Sequence, residues 1–198
     1  YTNQPLFLAV GFKKPHLPFI APAQFWDLYP DNTTLLLPNQ DTLVENSGAT
    51  PYSYTNWDEL RSYHNIPTAP NPVTNEQKID LIKGYQSCVS YIDYQIGKIL
   101  DHLYDTSNKI NINNTIIVLW GDQGFHLGDK GQWCKHTNFD ISTRVPLIIR
   151  DPRRLGGNKI YNNVELIDLY PTLNRLCNIS NPLVNFIIYK FPSPFPLL

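Results

Sequence analysis

The feature that most constrains this chain is a long amphipathic stretch followed by a short β-branched run. Between Asn75 and Tyr104, apolar residues recur at steps of three and four, which predicts one helix with a single apolar stripe. Thr74 or Asn75 can cap its first turn. The run Thr115–Trp120 (TIIVLW) has the composition of a strand that is buried on both faces of a parallel sheet. A long helix leading into such a strand favours a right-handed crossover, so we expect an α/β fold with a mostly parallel sheet flanked by helices.

Shorter runs on either side extend this α/β pattern. Leu6–Gly11 and Val145–Ile149 are apolar runs that predict buried strands, whereas Ala21–Tyr29 and Val164–Leu176 predict helices. The polar, proline-rich segment 30–74 is long enough to be a functional loop or a surface excursion. Its aromatic residues either pack this loop onto the body of the protein or line a sugar site: Tyr52, Tyr54, Trp57 and Tyr63.

Length and charge exclude several classes of protein. The 198 residues, with a formal net charge of -1, fit one domain or an incomplete part of a larger one. Near-neutral charge argues against nucleic-acid and membrane-surface binding, and no apolar run reaches the length of a transmembrane helix. The chain lacks a signal peptide and does not begin with Met, from which we expect a fragment or a processed product. The regular pattern fails after Asn178, so residues 181–198 are predicted to be a divergent or disordered tail.

The cysteines and the sequons say little by themselves. Cys88, Cys134 and Cys177 are too few and too widely spaced for a disulfide framework or a zinc site. Cys88 is expected to be buried on the long helix, and Cys134 is either a packing residue or a reactive thiol. Sequons occur at three positions, which are glycosylation candidates if the protein is secreted or lysosomal: Asn32, Asn113 and Asn178.

The residues that carry chemistry are concentrated after the strand Thr115–Trp120. Asp122 follows this strand directly, and in open α/β sheets ligands bind outside the carboxyl ends of strands. Gly121 and Gly124 allow the backbone to turn sharply around it. The loop then adds five ionisable or metal-capable side chains: His126, Asp129, Lys130, Lys135 and His136.

A second candidate edge of the same crevice follows Leu6–Gly11. There the prolines Pro15 and Pro18 flank His16 and stiffen a loop that also contains Lys14. The alternative interpretation is a solvated basic loop with a structural histidine. If His16, Asp122 and Lys135 converge, the carboxylate and the neighbouring amide of Gln123 can bind a hard cation such as Ca²⁺. Lysine and histidine can stabilise an oxyanion, so the set suits metal-assisted transfer of a sulfuryl or phosphoryl group.

Five blocks in this order resemble the sulfatase family, most closely its iduronate-2-sulfatase branch: GFKKPHLPF, YQSCVSYIDYQIGKIL, WGDQGFHLGDKGQWCKHTNF, TRVPLII and VELIDLYPTL. The resemblance covers residues 1–180, read as the C-terminal part of a catalytic domain. It implies an alkaline-phosphatase-like α/β fold and one Ca²⁺ ion. It also implies hydrolysis of a sulfate ester by a formylglycine, made from Cys or Ser in a C/S-x-P-S-R motif.

The resemblance also implies roles for individual residues. Asp122 matches a metal ligand, and Gln123 stands where relatives carry His or Asn on the metal or sulfate side. Lys135 matches the lysine that holds the substrate sulfate, and His16 in KPH matches an active-site histidine. His126, Lys130 and His136 lie in the matching loop without an implied role.

Two departures from the family pattern leave alternatives open. No C/S-x-P-S-R motif occurs in the sequence, so we expect the nucleophile and two further metal-binding aspartates in an N-terminal segment of the same catalytic domain. Gln123 can ligate Ca²⁺ through its amide oxygen but cannot act as an acid or a cation. The alternatives are a phosphodiesterase or phosphonate hydrolase of the same superfamily, and an inactive sulfatase-like protein that binds glycans or has no function.

The resemblance further implies partners and compartment. The expected substrate is a sulfated carbohydrate, in particular a sulfated uronate of a glycosaminoglycan. No nucleic acid and no membrane are expected as partners. Glycosaminoglycan degradation implies a lysosomal or secreted protein in an animal and a periplasmic or extracellular one in a bacterium.

Overall fold

The computed structural model describes residues 5–30, 48, 50–63, 65–107 and 110–180. The chain divides into two compact units, Tyr1–Arg154 and Leu155–Leu198. The tail predicted over residues 181–198 and the sequon at Asn32 lie outside the described residues. No helix in the described ranges combines the length and apolarity that crossing a membrane requires.

The first unit contains most of the regular structure. Its helices are α1 (Ala23–Trp26), α2 (Asp58–Arg61), α3 (Asn75–Tyr104) and α4 (Asp140–Thr143). Its strands are β1 (Ile117–Trp120), β2 (His126–Leu127), β3 (Trp133–Cys134) and β4 (Leu147–Arg150). Short 3-10 turns lie at Pro51–Ser53, Ile112–Asn114 and Asp129–Gly131.

Helix α3 confirms the prediction from the apolar stripe, including both of its ends. It begins with a capping box, in which the Gln77 backbone N–H donates to Thr74 Oγ1 at 3.2 Å and the Thr74 N–H donates to Gln77 Oε1 at 2.9 Å. Each bond satisfies a group that the helix itself leaves unpaired. Thr74, rather than Asn75, is therefore the cap.

One face of α3 packs against α1 and the loop before it. Gly84 makes this close approach possible, because a Cβ there would lie 2.9 Å from both Phe19 and Trp26. Cys88 is fully buried on the same helix, as predicted. The remainder of the stripe is mostly half-buried. Helix α3 therefore supports α1 and the loop before it on one face.

The strand pairs that the structure describes are antiparallel, which differs from the expected parallel pairing. Strand β1 pairs with β4 so that Ile117 lies opposite Arg150, and β2 pairs with β3. Residues 6–11 are exposed and form no strand, although their composition predicts one. Strand β1 is likewise not buried on both faces, since Trp120 is 48% exposed. Apolar composition identified β1 and β4, but it carries no information about the direction in which strands pair.

A buried cluster lies beneath the loops of the first unit. It consists of Leu17, Leu60, Val73, Trp133 and Cys134. Of the aromatic residues in the long loop, Trp57 and Tyr63 pack against this cluster, which supports the packing alternative for them. Tyr54 contacts the ring of Phe139 at 5.7 Å, and Tyr52 is almost fully exposed.

The described part of the second unit, residues 155–180, contains one helical segment. A 3-10 turn at Leu166–Asp168 leads into α5 (Leu169–Leu176), so the helix predicted over Val164–Leu176 forms with a tighter first turn. Pro171 lies in the first turn of α5, where a missing N–H costs no intrahelical hydrogen bond. The sequon residue Asn178 is exposed just beyond the end of α5.

Candidate active site

The loop after residue 11 holds His16 in a fixed orientation. The His16 backbone N–H donates to the Lys13 carbonyl at 3.0 Å, and the next residue, Leu17, is buried in the core cluster. His16 Nδ1 donates to the Leu17 carbonyl oxygen at 2.8 Å. This bond fixes the tautomer, because the neutral ring then has its lone pair on Nε2. The Lys14 ammonium donates hydrogen bonds to the carbonyl oxygens of His16 and Pro18, so it stabilises the loop to which it belongs.

Lys135 contacts His16 from a second segment of the chain. It follows β3 directly, whose residues Trp133 and Cys134 are both buried. Lys135 Nζ lies 2.9 Å from His16 Nε2, and its side chain is only 11% exposed. The structure thus brings together two of the residues that the sequence nominated, which are 119 positions apart in the chain.

Glu59 is a third member of this group that the sequence did not indicate. Its Oε1 lies 2.9 Å from Lys135 Nζ and 3.0 Å from His16 Nε2. When His16 is neutral, Lys135 can donate both to Nε2 and to Glu59. When His16 is protonated, its Nε2–H donates to Glu59 instead. Glu59 is in the first turn of α2 and immediately precedes Leu60, which is fully buried and anchors the helix.

The Glu59 carboxyl is held in its ionised form. Burial by itself raises the pKa of Glu59, but the hydrogen bond from Lys135 and the positive charges of Lys135, His16 and His136 outweigh burial. The net pKa therefore lies below the ordinary value of 4.5. At neutral pH the group is a carboxylate surrounded by three basic side chains.

Asp122 and Gln123 line a cavity that His16 also borders. Both come just after β1, beyond Gly121, and are exposed, and the cavity has a volume of about 300 Å³. Tyr85 and Phe125 form part of its wall, with their rings stacked at 5.6 Å. The structure places Asp122 and Gln123 at the end of a strand and next to the histidine loop, as the sequence predicted.

The oxygens at this cavity do not by themselves make a calcium site. Ca²⁺ takes six to eight oxygen ligands, whereas Asp122 and Gln123 supply one carboxylate and one amide. Within the described ranges, no group of three or more His, Cys, Asp or Glu side chains is placed to hold a metal ion. A calcium ion bound here would need most of its ligands from outside these residues.

Gly124, in the wall of the cavity, lies directly against the backbone of α4. Its N–H donates to the Ser142 carbonyl at 2.8 Å, and a Cβ at this position would overlap the Ile141 carbonyl oxygen. The sequence indicated a turn here, but the close approach of two backbones is the stronger reason for glycine.

We therefore expect Gly124→Ala to destabilise the protein, because the α4 backbone must move to admit the methyl group. Overpacking of this kind costs about 1–3 kcal/mol. The loss is measured as the change in free energy of unfolding in urea. Gly97→Ala is the matched control, since nothing lies near a Cβ at Gly97 and alanine favours a helix. Equal stability of Gly124→Ala and the unmodified protein would contradict the prediction.

The other ionisable side chains of the loop make contacts that account for them without a catalytic role. Burial and the nearby Glu59 carboxylate raise the pKa of the Cys134 thiol to about 12, which favours packing over reactivity. His126 is 1% exposed and bonds through Nε2 to Thr137 Oγ1 at 2.8 Å, and burial lowers its pKa. Lys130 lies over the Phe139 ring. His136 is the most exposed of the basic residues around Glu59, with its Nδ1 4.0 Å from Glu59 Oε2.

Comparison with known proteins identifies the class to which this fold and site belong. The sequence model of the sulfatase family matches residues 1–179, so the chain belongs to the sulfatase family. This confirms the resemblance and, with it, the alkaline-phosphatase-like fold class.

The individual relatives are sulfatases named for different substrates. The chain is 33% identical to a sulfatase of Formosa agariphila over 90% of its length, and 34% identical to human iduronate 2-sulfatase over 91%. It is 31% identical to a choline-sulfatase of Rhizobium meliloti over 90% of its length. These matches cover 33%, 37% and 33% of the respective relatives, so the chain spans about a third of their length.

Among solved structures, the phosphonate monoester hydrolase SpPMH of Silicibacter pomeroyi superposes with a TM-score of 0.63 at 27% identity. The match covers 92% of this chain and 37% of that structure.

Proposed function

We propose that the protein is a sulfuric ester hydrolase and that this chain supplies part of its active site. The observation that carries the proposal is the contact of Lys135 Nζ with His16 Nε2, at 2.9 Å, beside a cavity that bears Asp122 and Gln123. An ammonium and an imidazole at this spacing can bind the oxygens of one sulfate group and stabilise charge that develops on it. His16 Nε2, whose tautomer is fixed by Leu17, can also hold or release a proton at the ester oxygen.

The remaining chemistry is proposed to come from groups that this chain does not contain. A formylglycine in a C/S-x-P-S-R motif of another segment of the catalytic domain would supply the nucleophile. Asp122 and Gln123 would provide two of the ligands of one Ca²⁺ ion, which would offset the negative charge of the sulfate. Without these groups, the chain by itself is expected to be inactive.

Exposed apolar surface supports the proposal that another segment covers the first unit. Leu6, Phe7 and Leu8 are 67%, 86% and 63% exposed, and they continue into an apolar groove beside α3. On the β1–β4 pair, Trp120 and Ile148 are 48% and 59% exposed. Contiguous apolar surface of this kind marks an interaction site. The N-terminal part of the same catalytic domain is the proposed partner.

The finer substrate assignment is a sulfated uronate of a glycosaminoglycan. Support comes from the 34% identity to human iduronate 2-sulfatase and from the five ordered blocks of the sequence. A lysosomal or secreted location, or a periplasmic one in a bacterium, agrees with this substrate. Asn113 and Asn178 are both exposed and are the proposed glycosylation sites.

A second candidate function is hydrolysis of phosphate diesters or of phosphonate esters. It is favoured by the superposition on a phosphonate monoester hydrolase. The third alternative, an inactive glycan-binding protein, is favoured by Gln123, which cannot replace histidine as an acid.

The test uses the full-length protein and measures release of sulfate from 4-nitrophenyl sulfate and from a sulfated uronate oligosaccharide. A phosphonate monoester with the same aryl leaving group is assayed in parallel. We expect sulfate release to be faster than phosphonate hydrolysis, and we expect a C-x-P-S-R motif in the remaining sequence. Faster hydrolysis of the phosphonate would establish the second candidate, and binding of the sulfated oligosaccharide without turnover would establish the third.

A further inference from the structure

Glu59 places a negative charge beside Lys135 and His16, the two side chains to which the proposed function assigns sulfate binding. This charge partly offsets their positive charge. One oxygen, Oε1, faces both Lys135 Nζ and His16 Nε2 at 2.9 and 3.0 Å. The other, Oε2, is buried and lies 4.0 Å from His136 Nδ1. An anion that approaches Lys135 and His16 therefore also meets a fixed negative charge.

The position of this charge is set by the fold. Glu59 is 19% exposed, and the buried side chain of Leu60 fixes the short helix α2 from which it projects. The carboxylate cannot move far from Lys135 without losing its strongest partners. The negative charge is thus a permanent part of the group of side chains.

Glu59 lowers the positive charge that this group of side chains presents to an anion. Lys135 and Glu59 cancel, so with a neutral His16 these three side chains add no net charge to that of the proposed Ca²⁺ ion. A sulfate monoester carries one negative charge, whereas a phosphate monoester carries about two above its second pKa of about 6. In a partly buried site the effective dielectric constant is about 20, so the extra charge meets far stronger repulsion from Glu59 than it would in water.

We propose that Glu59 is a specificity-determining residue that favours monoanionic sulfate esters over dianionic phosphate monoesters. The proposal rests on the proposed function, because it takes Lys135 and His16 as the anion-binding pair. Glu59 does not contact the reacting atoms in this scheme. It acts through the charge that it places beside the two residues that do.

The experiment compares 4-nitrophenyl sulfate with 4-nitrophenyl phosphate in the full-length protein at pH 8. Glu59→Gln removes the charge while keeping the shape and a hydrogen-bond acceptor for Lys135. We expect the ratio of kcat/KM for sulfate over phosphate to fall at least about tenfold, which corresponds to about 1.4 kcal/mol. Glu59→Asp keeps the charge and is expected to retain the preference. Asp58→Asn is the matched control, since this exposed neighbour in α2 precedes Glu59 directly.

A binding measurement tests the same idea without turnover. Dissociation constants of inorganic sulfate, a dianion, and methyl sulfate, a monoanion, are compared by calorimetry. We expect Glu59→Gln to increase the affinity for inorganic sulfate at least about tenfold more than the affinity for methyl sulfate. The reason is that the second negative charge of inorganic sulfate no longer meets the carboxylate. If Glu59→Gln does not fold, Glu59→Ser removes the same charge from a smaller side chain.

The outcomes separate this inference from the proposed function. A protein that releases no sulfate from any ester refutes the proposed function, while the binding ratio still tests Glu59. A protein that hydrolyses sulfate esters but keeps its substrate preference and its binding ratio in Glu59→Gln refutes the role of Glu59 alone.

Discussion

Lys135→Ala is expected to lower kcat/KM of the full-length protein for a sulfate ester by about 10²–10³, the cost of removing one oxyanion-stabilising donor. The Lys135 ammonium is nearly buried and lies 2.9 Å from both His16 Nε2 and Glu59 Oε1. Its removal takes away the ammonium group to which the proposed function assigns sulfate binding. It also leaves Glu59 as an unbalanced negative charge beside that position, so substrate binding and the chemical step both suffer.

The matched control for this variant is Lys130→Ala. Lys130 is in the same loop and carries the same charge, but it lies over the ring of Phe139 instead of beside Glu59. Its removal is expected to change kcat/KM by less than about threefold, since only a weak cation–π contact is lost. If Lys135→Ala retained the kinetic parameters of the unmodified protein, the assignment of Lys135 to sulfate binding would be wrong.

Trp133→Ala is expected to destabilise the first unit by about 3–5 kcal/mol, the range for removing a buried large aromatic side chain. Trp133 is 2% exposed and belongs to the core cluster with Leu17, Leu60, Val73 and Cys134. This loss is a large part of the total stability of a typical domain. The measurement is urea unfolding followed by circular dichroism, with the free energy extrapolated to water.

The control for this loss is Tyr52→Ala, because Tyr52 is 99% exposed. It is expected to change stability by no more than about 0.5 kcal/mol. Equal effects of the two substitutions would show that the cluster around Trp133 does not stabilise the fold.

The sequence predicted elements whose signals are local. Helix α3 forms from Asn75 to Tyr104 because its periodicity and its Thr74–Gln77 capping box are both contained in adjacent residues. A parallel sheet was expected from the order of helix α3 and strand β1, but the pairs seen in the described residues are antiparallel. Strand direction depends on which distant segments meet, and the apolar run of residues 6–11 forms no strand pair with the described residues.

The same distinction explains the site. His16 and Lys135 were candidates because each lies in a loop rich in ionisable residues, and the family resemblance then implied their roles. Glu59 was missed, since a carboxylate in the first turn of a helix is ordinarily explained by the helix dipole. Its importance arises only from contacts with residues 43 or more positions away, and no local pattern records them.

Each of the three side chains in this group is attached to a neighbour in the core cluster. His16 precedes Leu17, Glu59 precedes Leu60, and Lys135 follows Cys134, and all three neighbours are at most 2% exposed. The conformational entropy of gathering these distant groups is therefore lost when the protein folds, and an arriving anion does not lose it a second time. Substitutions aimed at a new substrate are best placed along the exposed rim of the cavity, because repacking the core would move all three groups at once.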